Sequence, residues 1–339
     1  MKRTGLSDFI ELSEKYVIID VRSELEFDAG HIPGAVNVPI LNDEERKAVG
    51  TMYKQQSREA AVFKGLELSG PYLKDRLKKV IKVSKEDKVL VHCWRGGMRS
   101  EFMSFLIGFY GFEPIVLNGG YKTFRQAAHD LFDSPIDFRI LGGKTGTGKT
   151  EVLKQLKVKG AQVIDLEGLA KHRGSSFGSI GMGSQPTQEQ FENNLYDELR
   201  KMDLSSPVWI ENENRTIGDK VIPEGIWKKM IVAKRYVLEK SDARRLEQIV
   251  HDYGSFEIND LIVAMQRIGK RLGPQHVKRA VEFLENGQIE DAFSIALGYY
   301  DNAYEFHNEK NHLSIFARIE ADKLSHEEVA DLIVKEYGS

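Results

Sequence analysis

The stretch Phe138-Arg139-Ile140-Leu141-Gly142-Gly143-Lys144-Thr145-Gly146-Thr147-Gly148-Lys149-Thr150 decides the architecture of the second half of the chain. Phe138–Leu141 reads as a short buried strand. Gly143 to Thr150 then fit G-x-x-x-x-G-K-[ST], and a helical pattern follows. A strand running through such a loop into a helix is the context of a phosphate-cradling P-loop. Glycines let the backbone curl so that successive N–H groups turn inward around an anion. In that arrangement Gly143, Lys144, Thr145, Gly146, Thr147 and Gly148 form the cradle, Lys149 reaches a terminal phosphate and Thr150 is positioned to hold Mg²⁺.

Outward from this loop, short β-rich runs alternate with helical patterns, which predicts an α/β fold. Upstream, the candidate strands are Val17–Val21, Ala35–Val38, Lys88–His92 and Pro114–Leu117. Ser134-Pro135-Ile136-Asp137 reads as a junction, so two domains are expected, 1–132 and 133–339. Downstream strands are expected at Gln162–Leu166, Val208–Glu211, Ile231–Leu238 and Leu313–Ile319, with a helical region at about 242–309 before the last. Ser325-His326-Glu327-Glu328 has the spacing of a capping box ahead of a final amphipathic helix. No repeat or low-complexity tract interrupts the chain.

The chain of 339 residues is 41% hydrophobic and 29% charged, with a mean hydropathy of −0.38 and a formal net charge of −3. That composition belongs to globular domains and does not advertise a nucleic-acid binder. No apolar run approaches the length of a membrane span, and no apolar segment follows Met1-Lys2-Arg3, so a cytoplasmic protein is expected. The single cysteine excludes an internal disulfide and an all-cysteine metal site. Charge is uneven: Lys228 to Arg279 holds 12 Lys/Arg against 6 Asp/Glu. Arg267, Lys270 and Arg271 fall at helical spacing there, and Lys278 and Arg279 follow a Gly-Pro break. Such a run is either a solvated helix face or a footprint for a phosphate backbone.

The lone cysteine stands in a second anion-cradle pattern. The buried strand Lys88–His92 delivers Cys93-Trp94-Arg95-Gly96-Gly97-Met98-Arg99-Ser100, and a helix pattern begins. Inward-turned N–H groups, a helix N-terminus and the cations Arg95 and Arg99 favour a thiolate, the nucleophilic form. A buried structural cysteine would be the plainer explanation of a lone Cys, but two arginines and two glycines around it argue for reactivity.

Ile19-Asp20-Val21-Arg22-Ser23-Glu24-Leu25-Glu26-Phe27-Asp28-Ala29-Gly30-His31-Ile32-Pro33-Gly34-Ala35-Val36-Asn37-Val38-Pro39 resembles the opening signature of rhodanese domains. Leu117-Asn118-Gly119-Gly120-Tyr121 is similar to their closing motif. With the Cys93 loop between them, three ordered motifs cover about the first 130 residues. The resemblance implies that Cys93 carries a persulfide or perselenide. Cys93 and Arg99 also have the Cys-x5-Arg spacing of cysteine-based phosphatases, so attack on phosphorus is an alternative use of the same thiolate.

Across both halves the chain resembles the tRNA 2-selenouridine synthase family, a rhodanese-like domain followed by a P-loop NTPase-like α/β domain. The resemblance runs from about residue 10 to about 305. It rests further on Asn42–Arg46 with Val49–Gln55, an insertion that ordinary rhodaneses lack, on Asp165–Gly178, on Trp209–Gly218 and on Tyr299–Tyr304. Within these segments Asp165, Glu167, Glu211 and Glu213 are candidate metal or substrate contacts, or merely carboxylates at strand ends. Arg173 and Arg215 are candidate substrate contacts. The resemblance implies a tRNA substrate with a wobble 2-thiouridine, S-geranylation of its sulfur with geranyl diphosphate, and replacement of that sulfur by selenium from selenophosphate. It implies no tightly bound cofactor beyond Mg²⁺, and a selenophosphate-supplying enzyme as a partner. The alternatives are an ATP-dependent tRNA sulfurtransferase and a non-enzymatic persulfide relay. The oligomeric state is left open.

Overall fold

The computed structural model describes residues 1–175, 177–310 and 314–337. The chain divides into two compact units, Met1–Leu131 and the chain from Phe132 onward. Each is built on a five-stranded, wholly parallel sheet with helices between successive strands, so both are α/β.

In the first unit the strands are β1 (Lys2–Thr4), β2 (Ile18–Asp20), β3 (Val36–Asn37), β4 (Lys88–His92) and β5 (Glu113–Leu117), in the spatial order β1-β5-β4-β2-β3. β4 lies at the centre and is buried from Val89 to His92, which explains its run of unbroken apolar residues. Val89, Val91, Ile19, Val116, Met103 and Ile107 form the core. The insertion between β3 and β4 consists of the helices Asp43–Gln55, Arg58–Ser69 and Leu73–Val83. The first of these opens with a capping box, Asn42 accepting from the Glu45 N–H and Glu45 accepting from the Asn42 N–H, each at 2.9 Å. β1 escaped the sequence reading because an edge strand of three residues, Lys-Arg-Thr, carries no alternation to detect.

In the second unit, β6 (Phe138–Gly143), β7 (Gln162–Ile164), β8 (Val208–Glu211), the small hairpin β9 (Thr216–Ile217) and β10 (Lys220–Val221), β11 (Lys234–Glu239) and β12 (Ala317–Glu320) follow in sequence. The main sheet has the order β12-β11-β6-β8-β7. β6 is again central, and the chain crosses from one side of it to the other between β8 and β11. That reversal is a topological switch point, where ligands bind beyond the carboxyl ends of the strands. β11 begins three residues later than expected because Ile231 and Val232 close the helix Glu224–Val232. Short apolar runs of β-branched residues read equally as either element. The expected start of the last strand, Leu313, lies outside the described residues, as does Ser176 of the Asp165–Gly178 segment.

The helical region is an insertion between β11 and β12, comprising the helices Asp242–Tyr253, Ile258–Arg267, Gly269–Leu272, Pro274–Glu285 and Ile289–Lys310. It has its own core of Ile249, Leu261, Met265, Leu284, Phe293 and Leu297, to which the loop after β7 adds Phe177 and Ile180. The closing helix His326–Tyr337 carries its expected capping box: Glu328 donates its N–H to Ser325 Oγ at 3.2 Å, and Ser325 donates its N–H to Glu328 Oε2 at 2.8 Å. Its Val329 and Ile333 pack with Val152, Leu156, Trp209 and Tyr236.

Candidate active site

Cys93 sits immediately after β4, ahead of the helix Met98–Tyr110. It is a free cysteine, 4% exposed, with Sγ 3.3 Å from Ser100 Oγ. The loop is fastened from behind. Tyr121 donates its N–H to the Cys93 carbonyl at 2.9 Å, and Lys122 donates to the Trp94 carbonyl at 3.0 Å. Gly96 and Gly120 both have positive φ, and a Cβ on Gly120 would run into the Cys93 carbonyl oxygen. The two glycine-containing motifs thus interlock backbone to backbone. Arg3 adds a hydrogen bond to the Gly96 carbonyl at 2.9 Å.

The two arginines of the loop behave differently. Arg95 is exposed. Arg99 grips Glu26 through two hydrogen bonds, one of 3.1 Å, and Arg46 of the insertion reaches the same carboxylate at 3.7 Å. Burial works against the charge of Glu26, but Arg99 outweighs it and holds the carboxyl below its ordinary range. A second buried pair lies close by in the sheet. Arg22 donates to Asp20 at 2.6 Å and to the Gly30 carbonyl at 2.7 Å, with its guanidinium 3.9 Å from the centre of the Tyr121 ring. His92, wholly buried beside Asp20, is pushed below its ordinary value by burial and is therefore neutral at pH 7.

In the second unit, the loop after β6 leads into the helix Lys149–Val158 with positive φ at Gly143, Gly146 and Gly148. Lys149 folds back onto the Gly143 carbonyl at 2.9 Å, the position from which it would turn to a phosphate. Register places the acids: Leu141 of β6 pairs with Glu211 of β8, so Glu211 ends its strand where the loop begins. Thr150 donates to Glu211 Oε1 at 2.9 Å. Glu167, Glu211 and Glu213 bring carboxylate oxygens within 4.8 Å of one another, and Glu211 Oε2 is buried with no hydrogen-bond partner. Burial and mutual repulsion raise all three, Glu213 to about 8. An orphaned buried oxygen beside a P-loop hydroxyl, in an all-oxygen donor set, fits a hard divalent cation such as Mg²⁺.

A cavity of about 520 Å³ opens above this loop. Its lining includes the polar residues Lys149, Thr150, Asp165, Glu167, Arg173 and Glu213 as well as Met182, Ile249, Tyr253, Tyr299, Tyr300 and Tyr304. Arg173 lies 5.5 Å from the centre of the Tyr253 ring. Arg271 also lines the cavity, apart from the other basic residues of its stretch. The one helix expected for Arg267, Lys270 and Arg271 is two, broken at Ile268-Gly269. Lys270 and Lys278 line a separate shallow groove, Arg267 approaches Ser179 Oγ at 3.4 Å, and Arg279 covers Phe283. Arg215 is paired with Glu224 and is not among the residues lining the cavity.

Sequence reasoning missed the residues that brace the cradle. Arg245, 1% exposed, donates to the Thr145 carbonyl at 2.9 Å and is clamped by Asp301 Oδ2 at 2.9 Å. Lys144 is held by Asp301 at 3.3 Å and Glu305 at 2.9 Å, and Tyr304 Oη accepts the Gly143 N–H at 3.1 Å. Asp301 and Tyr304 stand in a segment already singled out, but Arg245 looks in sequence like one more cation of a basic run. No helix among the described residues is long and apolar enough to cross a membrane.

Two family models match the chain: the rhodanese-like domain over residues 6–127 and the tRNA 2-selenouridine synthase AAA domain over residues 136–333. A tRNA 2-selenouridine synthase of Sulfurovum sp. (strain NBC37-1) is 34% identical, covering 94% of this chain and 94% of its own length. That of Marinobacter nauticus is 33% identical over 90% of this chain and 92% of its own. Among solved structures, the N-terminal domain of a candidate ATP/GTP binding protein from Clostridium difficile 630 is 32% identical. It covers 37% of this chain and 97% of that one, with a TM-score of 0.34.

Proposed function

The chain belongs to the tRNA 2-selenouridine synthase family, and on that premise we propose that it converts wobble 2-thiouridine in tRNA to 2-selenouridine in two steps. In the first, the sulfur attacks the allylic carbon of geranyl diphosphate: the S–C bond forms, the C–O bond breaks, diphosphate departs and the N3 proton of the base is lost. In the second, the selenium of selenophosphate bonds to C2 of the base, the C2–S bond breaks and geranylthiol departs, and water cleaves the Se–P bond, releasing phosphate and returning a proton to N3. Alkylation makes that sulfur part of a neutral leaving group.

The observation that carries this reading is the cavity over the P-loop, whose lining combines the cations Lys149, Arg173 and Arg271 with the rings of Tyr253, Tyr299, Tyr300 and Tyr304. Such a site suits a diphosphate bearing a hydrocarbon chain. Lys149 and the loop N–H groups would bind the diphosphate and stabilise charge developing as the C–O bond breaks. Glu167, Glu211, Glu213 and Thr150 would hold Mg²⁺, which when bound offsets the charge of the leaving group. Cys93, on its own loop at the start of a helix, is the residue assigned to the selenium-transfer step. The phosphatase alternative loses support because Arg99, the cation of its Cys-x5-Arg pattern, is committed to Glu26.

Purified protein incubated with a 2-thiouridine tRNA and geranyl diphosphate, followed by nucleoside mass spectrometry, tests the reading. Geranylated nucleoside should accumulate without selenophosphate and convert to selenouridine with it. ATP hydrolysis coupled to sulfur transfer, with no geranylated species, would overturn it in favour of the ATP-dependent sulfurtransferase.

A further inference from the structure

Of three tryptophans, Trp209 and Trp227 are 2% and 9% exposed, whereas Trp94, the residue after Cys93, is 37% exposed. Its ring is not adrift. The backbone is pinned by the Lys122 N–H, and Tyr121 supports the ring at 5.7 Å between centres and a 53° tilt. Behind Tyr121 lies the Arg22 guanidinium. Met98, four residues further on at the start of the next helix, is 49% exposed.

Two arginines accompany these residues. Arg95 is exposed, and Arg58, from the insertion, approaches Met98 Sδ at 3.8 Å. The nearby carboxylate Glu26 is already matched by Arg99 and Arg46. An exposed aromatic ring, a thioether and guanidinium groups that form no ion pair among the described residues are the kinds of group that hold single-stranded nucleic acid. Every base has a π-face to stack, and every linkage has a phosphate to meet a cation. A protein partner of the same surface would instead call for more apolar area and fewer unmatched charges.

We infer that Trp94 is the platform on which the substrate pyrimidine stacks beside Cys93, with Arg58 and Arg95 meeting the phosphates that flank it. This rests on the tRNA substrate proposed above and assigns the part of this chain that receives its base. It also gives the Asp43–Ser69 helices a task, since they bring Arg58 to Met98.

Trp94 is its own reporter. A fluorescently labelled anticodon stem-loop with wobble 2-thiouridine, titrated into the full chain, should quench tryptophan emission with the Kd that its anisotropy reports. Trp94→Phe should abolish the quenching but keep most of the affinity, whereas Trp94→Ala should raise Kd and KM about tenfold. Arg58→Glu with Arg95→Glu, which leaves the platform intact, should flatten the salt dependence of binding by about two phosphate contacts, each about 0.7 in slope. Stem-loop binding without quenching, or with wild-type Kd and salt slope in these variants, overturns the inference and leaves the tRNA reading standing. Failure of the wild-type chain to bind the stem-loop or tRNA overturns both.

Discussion

Replacing Glu213 by Gln should raise the stability of the protein at alkaline pH, and the cause can be followed from the sheet edge. The end of β8 and the loop just after it place Glu211 and Glu213, and the helix after β7 brings Glu167 to them, with carboxylate oxygens within 4.8 Å. Burial, then the charge of Glu211, lifts Glu213 from an ordinary 4.5 to about 8. Below about pH 4.5 the carboxyl is protonated whether the chain is folded or unfolded, and the substitution is silent. Between there and about 8 the unfolded chain ionises while the folded one keeps its proton. Unfolding then releases a proton, so stability falls as pH rises, and the loss is complete above about 8. The full interval corresponds to at most about 5 kcal/mol. Because Glu213 borders an open cavity and shares its charge with Glu167, about 2 kcal/mol is the sounder expectation. For a unit of about 200 residues that is roughly 4–8 °C in Tm. Thermal melts of wild type and Glu213→Gln between pH 5 and 9, without divalent cations, should diverge as pH rises and run parallel above about 8. Mg²⁺ should stabilise the wild type more than the variant. Melting curves that stay parallel across the range, or a variant less stable than wild type at pH 8.5, would refute the reasoning.

Cys93→Ser should abolish selenium transfer while leaving geranylation of 2-thiouridine largely intact, and equal loss of both in a folded variant would contradict the division of labour. Lys149→Ala should slow geranylation by about 2–4 kcal/mol of barrier; a rate within about threefold of wild type, under roughly 1 kcal/mol, would remove Lys149 from that role. Arg271→Glu should weaken inorganic pyrophosphate binding about tenfold because Arg271 lines the P-loop cavity, whereas Lys270→Glu with Lys278→Glu should weaken tRNA and spare pyrophosphate. Calorimetry with pyrophosphate and salt-dependent tRNA binding separate the two. Gly120→Ala should destabilise the protein by about 1–3 kcal/mol, measured by denaturant titration, because its φ is positive and a Cβ would strike the Cys93 carbonyl.

The local strand–loop–helix conformation was legible in the sequence because each glycine-rich loop is a contiguous segment. A buried strand, a glycine-rich turn and a helix start lie within thirteen residues around Lys149 and again around Cys93, so their conformation is specified by neighbours along the chain. The strands that carry them, Lys88–His92 and Phe138–Gly143, announce themselves by the short apolar runs Val89-Leu90-Val91 and Ile140-Leu141, since the centre of a parallel sheet is buried on both faces. Tertiary structure alone decided which distant residues complete the sites. Strand register sets Glu211 against Leu141, and only then do Glu167 and Glu213 become a cluster with Thr150. Burial turns Arg245 from one cation of a basic stretch into the brace of the P-loop, and a break at Ile268-Gly269 separates Arg271 from Lys270. The same holds for Arg99, whose spacing from Cys93 suggested a phosphatase until Glu26, 73 residues away in sequence, was found to hold it. A sequence records what a residue is and what stands beside it; charge pairing, desolvation and cavity walls depend on contacts between residues far apart in the chain, which exist only after folding.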